Sequence, residues 1–201
     1  MQIHSEDAPI PSRSLARLLR WMRLAPGTPE ALEAVGLWAE AEALARPATW
    51  STHLAREDFL IRFHPHAQSS AHLMRILEGC PRVWLLAATI GPALETRSAG
   101  YFASGRPFAG YVLDRMGTFL VEQAMRDLVR RCGSGATRRY SPGYKDFALE
   151  AQAALLQVAG EAFAQVRLTG GYMLTPSKSI TAVAGERPGG QADARETARR
   201  R

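Results

Sequence analysis

Arg139-Tyr140-Ser141-Pro142-Gly143-Tyr144 is the stretch on which the interpretation of the fold depends, together with a later stretch, Tyr172-Met173-Leu174-Thr175-Pro176-Ser177-Lys178-Ser179. Proline presets a φ of about −65° and glycine accepts the positive φ of the next position, so the Pro-Gly pair predicts a tight turn. Such a turn leaves backbone N–H and C=O groups pointing outward, where a planar ligand could meet them beside the tyrosine rings. The alternative is a purely structural turn whose tyrosines pack on the core.

The overall composition is that of an ordinary globular protein. The chain has 201 residues, of which 46% are hydrophobic and 22% are charged, enough to bury a core without disulfides or metal. The two cysteines, Cys80 and Cys132, are too few for a disulfide framework and favour free thiols in a reducing compartment. No segment resembles a signal peptide or approaches the roughly 18 apolar residues of a membrane span. We therefore expect a cytoplasmic protein without membrane contact.

The net charge of +6 raises the question of nucleic-acid binding. The sequence contains no basic run with interleaved aromatic residues, no helix-turn-helix pattern and no RNA-binding signature. Solvated helix faces rich in arginine explain the charge more simply. We expect no nucleic-acid partner, although a basic nucleic-acid module remains an alternative from a different functional class.

Hydrophobic patterning predicts one domain flanked by two loose ends. We predict a leader at 1–11, a folded domain at 12–185 and a disordered basic tail at 186–201. The predicted helices begin at Ser12, Thr28, Ser69 or Ser70, Leu94, Phe108 and Asp146, and the second of them has an apolar stripe of Leu32, Val35 and Ala39. The predicted strands are Thr49–Leu54, a stretch with alternating Phe59, Ile61 and Phe63, Val83–Ile90, Ala164–Leu168 and Ile180–Ala184.

Recognised catalytic and metal-binding patterns are missing from the sequence. His64 and His66 flank a proline, but no cysteine or further histidine lies at a recognised ligand spacing, so we expect no metal site. There is no P-loop, no dinucleotide-binding glycine pattern and no catalytic triad. We therefore predict no catalytic residues.

The predicted helix from Phe108 to Arg131 carries Asp114, Thr118 and Glu122 at steps of four, which places them along one side. Apolar neighbours suggest that the Glu122 carboxylate lies at the edge of a buried face, where an unpaired charge is costly. The candidate partners of this carboxylate are Arg115, Arg126 and Arg139. The alternative is an ordinary solvated charge.

These motifs together resemble a known family. The segments 139–144 and 172–179, with Asp146-Phe147, Leu149, Gln152, Ala88-Thr89-Ile90-Gly91 and the helix carrying Asp114, Gly117 and Glu122, are similar to the activation domain of cobalamin-dependent methionine synthase. The resemblance extends from about Leu15 to Gly185. It implies an α+β fold in which helices pack around a twisted antiparallel sheet.

The resemblance also implies a function. In that family the domain binds S-adenosylmethionine and docks on the cobalamin domain, where an electron from flavodoxin or a similar donor drives remethylation of inactive cob(II)alamin. A stand-alone relative would serve a cobalamin-binding methionine synthase subunit, as an accessory part of a methyltransferase rather than a complete enzyme. The alternative is a corrinoid-protein-binding or regulatory module that has lost the ligand.

The resemblance further assigns ligand-binding residues. Arg139 would pair with the ligand carboxylate, the turn would meet the adenine edge, Tyr144 would supply an aromatic wall, and Glu122 would face the ammonium or sulfonium. Lys145 differs from the small residue that follows the turn in the family. The implied S-adenosylmethionine-binding residues are Arg139, Tyr140, Ser141, Pro142, Gly143, Tyr144, Tyr172, Met173 and Glu122.

Overall fold

The structure, a computed structural model, describes residues 13–188. The helices are α1 (Arg13–Trp21), α2 (Pro29–Leu44), α3 (Arg56–Arg62), α4 (Ala71–Ile76), α5 (Ala93–Ala103), α6 (Pro107–Arg131) and α7 (Ala151–Ala159), which continues into a 3-10 turn (Gly160–Phe163). The strands are β1 (Ala48–Ala55), β2 (Arg82–Thr89), β3 (Arg167–Leu168), β4 (Leu174–Thr175) and β5 (Ser179–Glu186). The expected α+β class is confirmed, because helices pack on an antiparallel sheet.

The main sheet has three antiparallel strands in the order β1-β2-β5, with β2 in the centre. The register places Thr52 of β1 and Val183 of β5 on either side of Leu85. The short strands β3 and β4 form a separate hairpin. Since β2 is apolar along nearly its whole length, both faces of the sheet are available for packing.

Each face of the sheet supports its own hydrophobic core. Helices α1, α2, α5 and α6 cover one face, where Leu86 and Ala182 are fully buried. Helices α3, α4 and α7 cover the opposite face, where Leu85 and Val183 are fully buried. The sheet is therefore the middle layer of three.

The segment before the Pro-Gly turn runs along the free edge of β5. Tyr140 exchanges two backbone hydrogen bonds with Val183, with N···O distances of 2.8 and 2.9 Å. Thr137 donates its amide to the Gly185 carbonyl and accepts the Gly185 amide on its hydroxyl, both at 2.8 Å. This pairing covers the β5 edge and fixes the start of the turn against the sheet.

The predicted strand at Phe59, Ile61 and Phe63 is wrong, since these residues lie in and just after α3. Phe59 and Phe63 are four residues apart, a spacing that also fits one helical face, and their rings stack at 4.5 Å in the core. Glu57 and Asp58 favour a helix start at this position. Ile61 is 76% exposed, as expected for the opposite side of a helix.

The predicted apolar stripe of α2 is also wrong, although the helix itself is confirmed with Thr28 accepting the Ala31 amide at 3.2 Å. Leu32, Val35 and Ala39 face solvent. The buried face consists of Ala31, Ala34, Leu37, Trp38 and Ala41. Alanines let α2 approach α6 closely, and Trp38 packs edge-on against Phe119 at 6.4 Å. The helix is apolar on both sides, so periodicity alone could not select the buried one.

The helix predicted from Asp146 begins later, at Ala151, because the backbone of residues 146–150 forms turns and bends. The strand predicted over 164–168 is limited to Arg167–Leu168, since Ala164 and Gln165 form a turn.

The other predicted helices and strands are confirmed, including the Ser70 cap that accepts the Leu73 amide at 3.1 Å. Glu186, predicted as part of the tail, is the last residue of β5. The predicted leader and the tail beyond 188 lie outside the described residues. Between 13 and 188, no helix is both long enough and apolar enough to cross a membrane.

Candidate ligand-binding site

The Pro-Gly turn is held by its own backbone and by the core beneath it. Gly143 has a φ of +79°, as the sequence predicts, and donates its amide to the Phe147 carbonyl at 2.8 Å. Tyr144 donates to the Ser141 carbonyl at 3.2 Å. Pro142 is buried, whereas Tyr144 is 55% exposed. The turn therefore has a buried base and a tyrosine open to solvent.

Tyr140 anchors the turn to the opposite core through its ring and hydroxyl. The ring is 4% exposed and stacks between His72 at 5.5 Å and Phe147 at 6.0 Å. Its hydroxyl donates to Asp146 Oδ1 at 3.0 Å. Burial, together with the Asp146 carboxylate, raises the pKa of the Tyr140 phenol, so the hydroxyl stays protonated as a donor. The Tyr144 ring lies edge-on to Tyr140 at 5.9 Å.

The Asp146 carboxylate holds the turn against the start of α4. Asp146 Oδ2 accepts the His72 amide at 3.0 Å, and Oδ1 accepts the Ser70 hydroxyl at 2.7 Å. These donors, the His72 amide first, lower the pKa of Asp146 to about 2. The ionised carboxylate is therefore a structural link between two distant parts of the chain.

Asp114, Thr118 and Glu122 form a polar ladder along one side of α6, and this ladder contacts both motifs. Glu122 Oε2 lies 2.6 Å from Arg139 Nη2, so Arg139 is the partner among the three candidates. Lys178 places its ammonium 2.7 Å from Asp114 Oδ1 and 3.1 Å from the Thr118 hydroxyl. The ladder thus binds both motifs, the first through Glu122 and the second through Asp114 and Thr118.

The Glu122–Arg139 ion pair is partly open to solvent, with 37% of the Glu122 side chain and 25% of the Arg139 side chain exposed. Arg126 lies close by, and its Nε is buried without a hydrogen-bond partner among residues 13–188. Burial lowers the pKa of Arg126; the charge of Arg17 lowers it further, and that of Glu122 opposes the change. Positive charge therefore dominates around this single carboxylate.

The second motif is linked to β5 through Gln152 of α7. The Gln152 side-chain amide donates to the Tyr172 carbonyl at 2.6 Å, and its oxygen accepts the Thr181 hydroxyl of β5 at 2.9 Å. Tyr172 has a φ of +60°, a left-handed conformation that is uncommon for a tyrosine. Met173 and Thr169 exchange hydrogen bonds that close this loop, at 2.9 and 3.1 Å. The backbone of Tyr172 is therefore locally strained.

The structure brings most of the predicted residues onto adjoining elements. Arg139 and Glu122 touch, and the turn residues follow directly. Tyr172 is linked to β5 two residues from the Val183 position with which Tyr140 pairs. Tyr144, Tyr172 and Met173 are 55, 39 and 60% exposed, so these three large side chains are open to solvent. Tyr140 and Pro142 are buried and act as supports.

Sequence reasoning missed three supporting residues. Lys178 lies within the second motif, but only arginines were considered as partners for the ladder. Gln152 was part of the motif without a role, and a buried amide joining two segments is not visible from spacing. Asp146 was assigned to a helix, although a carboxylate so soon after a Pro-Gly turn is also a candidate for binding free backbone amides.

Other features of the structure lie away from this region. A cavity of about 300 Å³ at the end of α6 is lined by residues that include Arg82, Cys132 and Glu186. Both cysteines are free thiols, and burial raises the pKa of Cys132 to about 11. Among the residues that the structure describes, no group of three or more histidine, cysteine, aspartate or glutamate side chains could hold a metal ion.

Comparison with solved structures shows a similarity of fold. The chain is similar to a solved structure described as the MetH reactivation domain bound to AdoHcy, with a TM-score of 0.48 and 14% sequence identity. The match covers 92% of this chain and 75% of that chain. No family model matches the chain, and no curated protein matches it. At this TM-score the similarity carries no argument about function.

Proposed function

We propose that the chain binds S-adenosylmethionine beside the Pro-Gly turn and serves as an activation subunit for a cobalamin-dependent methionine synthase. The motif resemblance and the partly exposed Arg139–Glu122 ion pair support the proposal. The ligand is a sulfonium nucleoside that carries an amino-acid zwitterion at one end. We expect each part of that molecule to meet a complementary group beside the turn.

The observation that carries the proposal is the partly exposed ion pair between Arg139 and Glu122. A carboxylate and a guanidinium that satisfy each other are also complementary to a ligand that bears both charges. The ligand carboxylate would replace Glu122 at Arg139, and the ligand ammonium or sulfonium would take over Glu122. Both exchanges form charge-assisted contacts, so neither protein charge is left without a partner.

The nucleoside end would use the turn and the exposed aromatic side chains. Tyr140 and the Gly143 amide are already bonded to Val183 and Phe147, but no backbone hydrogen bond within 13–188 engages the Ser141 amide or the Pro142 carbonyl. These two groups would meet the hydrogen-bonding edge of adenine, and the Tyr144 ring suits its face. Tyr172 and Met173 would cover the ligand from the second motif. Aromatic faces near a sulfonium also stabilise its positive charge.

The chemistry asks the protein for positioning rather than for a nucleophile or a base. The sulfonium methyl would pass to the cobalt of a cobalamin on the partner subunit, with one electron supplied by flavodoxin or a similar donor. The chain would bind the methyl donor, orient its sulfonium and present it to the partner.

Calorimetric titration with S-adenosylmethionine tests the proposal. We expect binding by the wild type and a loss of about 1.5–3 kcal/mol in Arg139→Ala, the range for a hydrogen bond to a charged group. Arg138→Ala is the matched control, because it removes the same charge from the exposed neighbouring position. Equal affinity in the two variants would contradict the assignment. No binding by the wild type would favour a corrinoid-protein-binding module without the ligand.

A further inference from the structure

The outer edge of β1 is a second surface that the candidate site does not use. Among residues 13–188, the strand Ala48–Ala55 pairs only with β2, over eight residues in continuous register. Trp50 is buried, and the other residues of the strand are partly or fully exposed. An edge strand presents unpaired N–H and C=O groups that another strand can meet.

The hydrogen-bonding pattern identifies the outward groups. Tyr140 pairs with Val183 on the outer side of β5, so alternation directs the backbone of Ala182 towards β2. Ala182 is opposite Leu86, so the backbone of the next residue, Leu85, points towards β1, where it is opposite Thr52. The Arg56 amide, which donates to the Pro81 carbonyl at 2.9 Å, follows the same alternation. Even-numbered residues of β1 therefore bond to β2.

The odd-numbered residues Thr49, Ser51 and His53 consequently direct their backbone groups away from the sheet. No hydrogen bond reaches these groups from another segment within 13–188. Their side chains lie on the α6 face, as the hydrogen bond from Arg131 to the Thr49 hydroxyl at 2.9 Å indicates. The outward edge is thus open along the middle of the strand.

The two edges of the sheet are treated differently. The β5 edge is covered by the segment that contains Thr137 and Tyr140. The β1 edge lacks the usual protection, since Ala-Thr-Trp-Ser-Thr-His-Leu-Ala contains no proline, lysine, arginine or carboxylate and its register has no bulge. Such an edge in a natural protein calls for a strand that covers it.

We propose that β1 pairs with β1 of a second copy of this chain, antiparallel and about a two-fold axis, to form one continuous six-stranded sheet. The strand is compatible with itself, because its own side chains bring no carboxylate, lysine or arginine together across the axis. Two-fold pairing also uses the open edge of both copies at once and leaves none for further growth.

A neighbouring groove supports this pairing. It measures about 390 Å³ and is lined by Leu54, Asp58, Ile61 and Arg62. Ile61 is 76% exposed, the highest value among the large apolar residues of the described chain. Antiparallel pairing brings the first residues of the opposite strand alongside Leu54, so the partner's Ala48 would lie near the groove and cover apolar surface there.

Molar mass measured by light scattering across a range of concentrations tests the proposal. We expect the wild type to rise from the mass of one chain to that of two. Ser51→Pro removes an outward amide that β2 does not use, and it should stay at the mass of one chain. Ser51→Ala keeps the amide and should behave as the wild type. A wild type that stays at one chain throughout, or dimeric Ser51→Pro, would overturn the proposal.

Two further measurements cover a failure of Ser51→Pro to fold. Ser51→Lys retains the amide and places charges near the two-fold axis, so it should also stay monomeric. Amide exchange in the wild type should slow with concentration at Thr49, Ser51 and His53, while Trp50 and Thr52 are protected at every concentration by β2. Amide exchange at Thr49, Ser51 and His53 that does not depend on protein concentration would overturn the proposal. A different protein would then be the candidate that covers this edge.

Discussion

Arg139 and Glu122, 17 residues apart in sequence, join the segment before the Pro-Gly turn to the middle of α6 through a contact of 2.6 Å. Between residues 13 and 188, the other hydrogen bonds and ion pairs from the two motifs to the long helix are those of Lys178. Because the pair is partly exposed, a ligand with both charges can reach it. This contact is therefore both a structural link and the centre of the proposed site.

Replacing Glu122 tests which charge the ligand brings. Glu122→Gln keeps the shape and removes the carboxylate, so it should weaken S-adenosylmethionine binding by about 1.5–3 kcal/mol. The loss should be smaller for S-adenosylhomocysteine, whose thioether is neutral. Calorimetry with both ligands measures the difference. Glu33→Gln, which removes the partner of Arg106 elsewhere, is the control and should bind as the wild type.

Replacing Gln152 tests the link between α7 and the second motif. Gln152→Leu removes the bond to the Tyr172 carbonyl and leaves the buried Thr181 hydroxyl unsatisfied, so the free energy of unfolding should fall by about 1–3 kcal/mol. Urea denaturation measures this loss. Gln157→Leu changes an exposed glutamine on the same helix and should have little effect. Equal stability of the two variants would contradict the role of the bridge.

Replacing Gly143 tests the geometry of the turn. Gly143 has a φ of +79°, so Gly143→Ala should lower the free energy of unfolding by about 1–2 kcal/mol through the left-handed backbone alone. The added Cβ would also lie 2.9 Å from Leu149 Cδ1. Gly79→Ala shares the positive φ but meets nothing within 4 Å, so it isolates the backbone cost. A larger loss at Gly79 than at Gly143 would contradict this account.

The low pKa of Asp146 predicts a loss of stability in acid. A folded-state pKa of about 2 lies below the usual value near 4, so the carboxylate stabilises the fold above about pH 4. This contribution should disappear as the pH falls from about 4 to about 2. Asp146→Asn should be less stable than the wild type at about pH 6, and the difference should close across that range. A difference that is independent of pH, measured by urea denaturation, would contradict the assignment.

Elements were predicted correctly where the residue pattern fits a single type of secondary structure. Val83–Ile90 is continuously apolar between turn residues, and it is the central strand β2. The helix starts at Thr28 and Ser70 depend on cap hydrogen bonds to an amide three residues later. Such local bonds follow from the residue type at the cap position. Glu122 was correctly predicted to pair with an arginine at the edge of a buried face. Steps of four on a long helix fix which residues share a side, so this position could be inferred from spacing.

Predictions were wrong where a residue pattern fits both a strand and a helix, or where a helix has two apolar faces. Phe59 and Phe63 fit both an alternating strand and one helical face, and only packing against the core selects the helix. Leu32 and Trp38 lie on different apolar sides of α2, and contact with Phe119 decides which is buried. The Gln152 bridge could not be predicted, because it depends on how three distant segments meet.

The most direct test of the proposed site is an amide NMR titration of the wild type with S-adenosylmethionine. The account predicts shifts concentrated at 139–144, at Tyr172 and Met173, and around Glu122 of α6. An absence of shifts at saturating ligand, or shifts gathered instead at the Arg82 and Glu186 cavity, would contradict it.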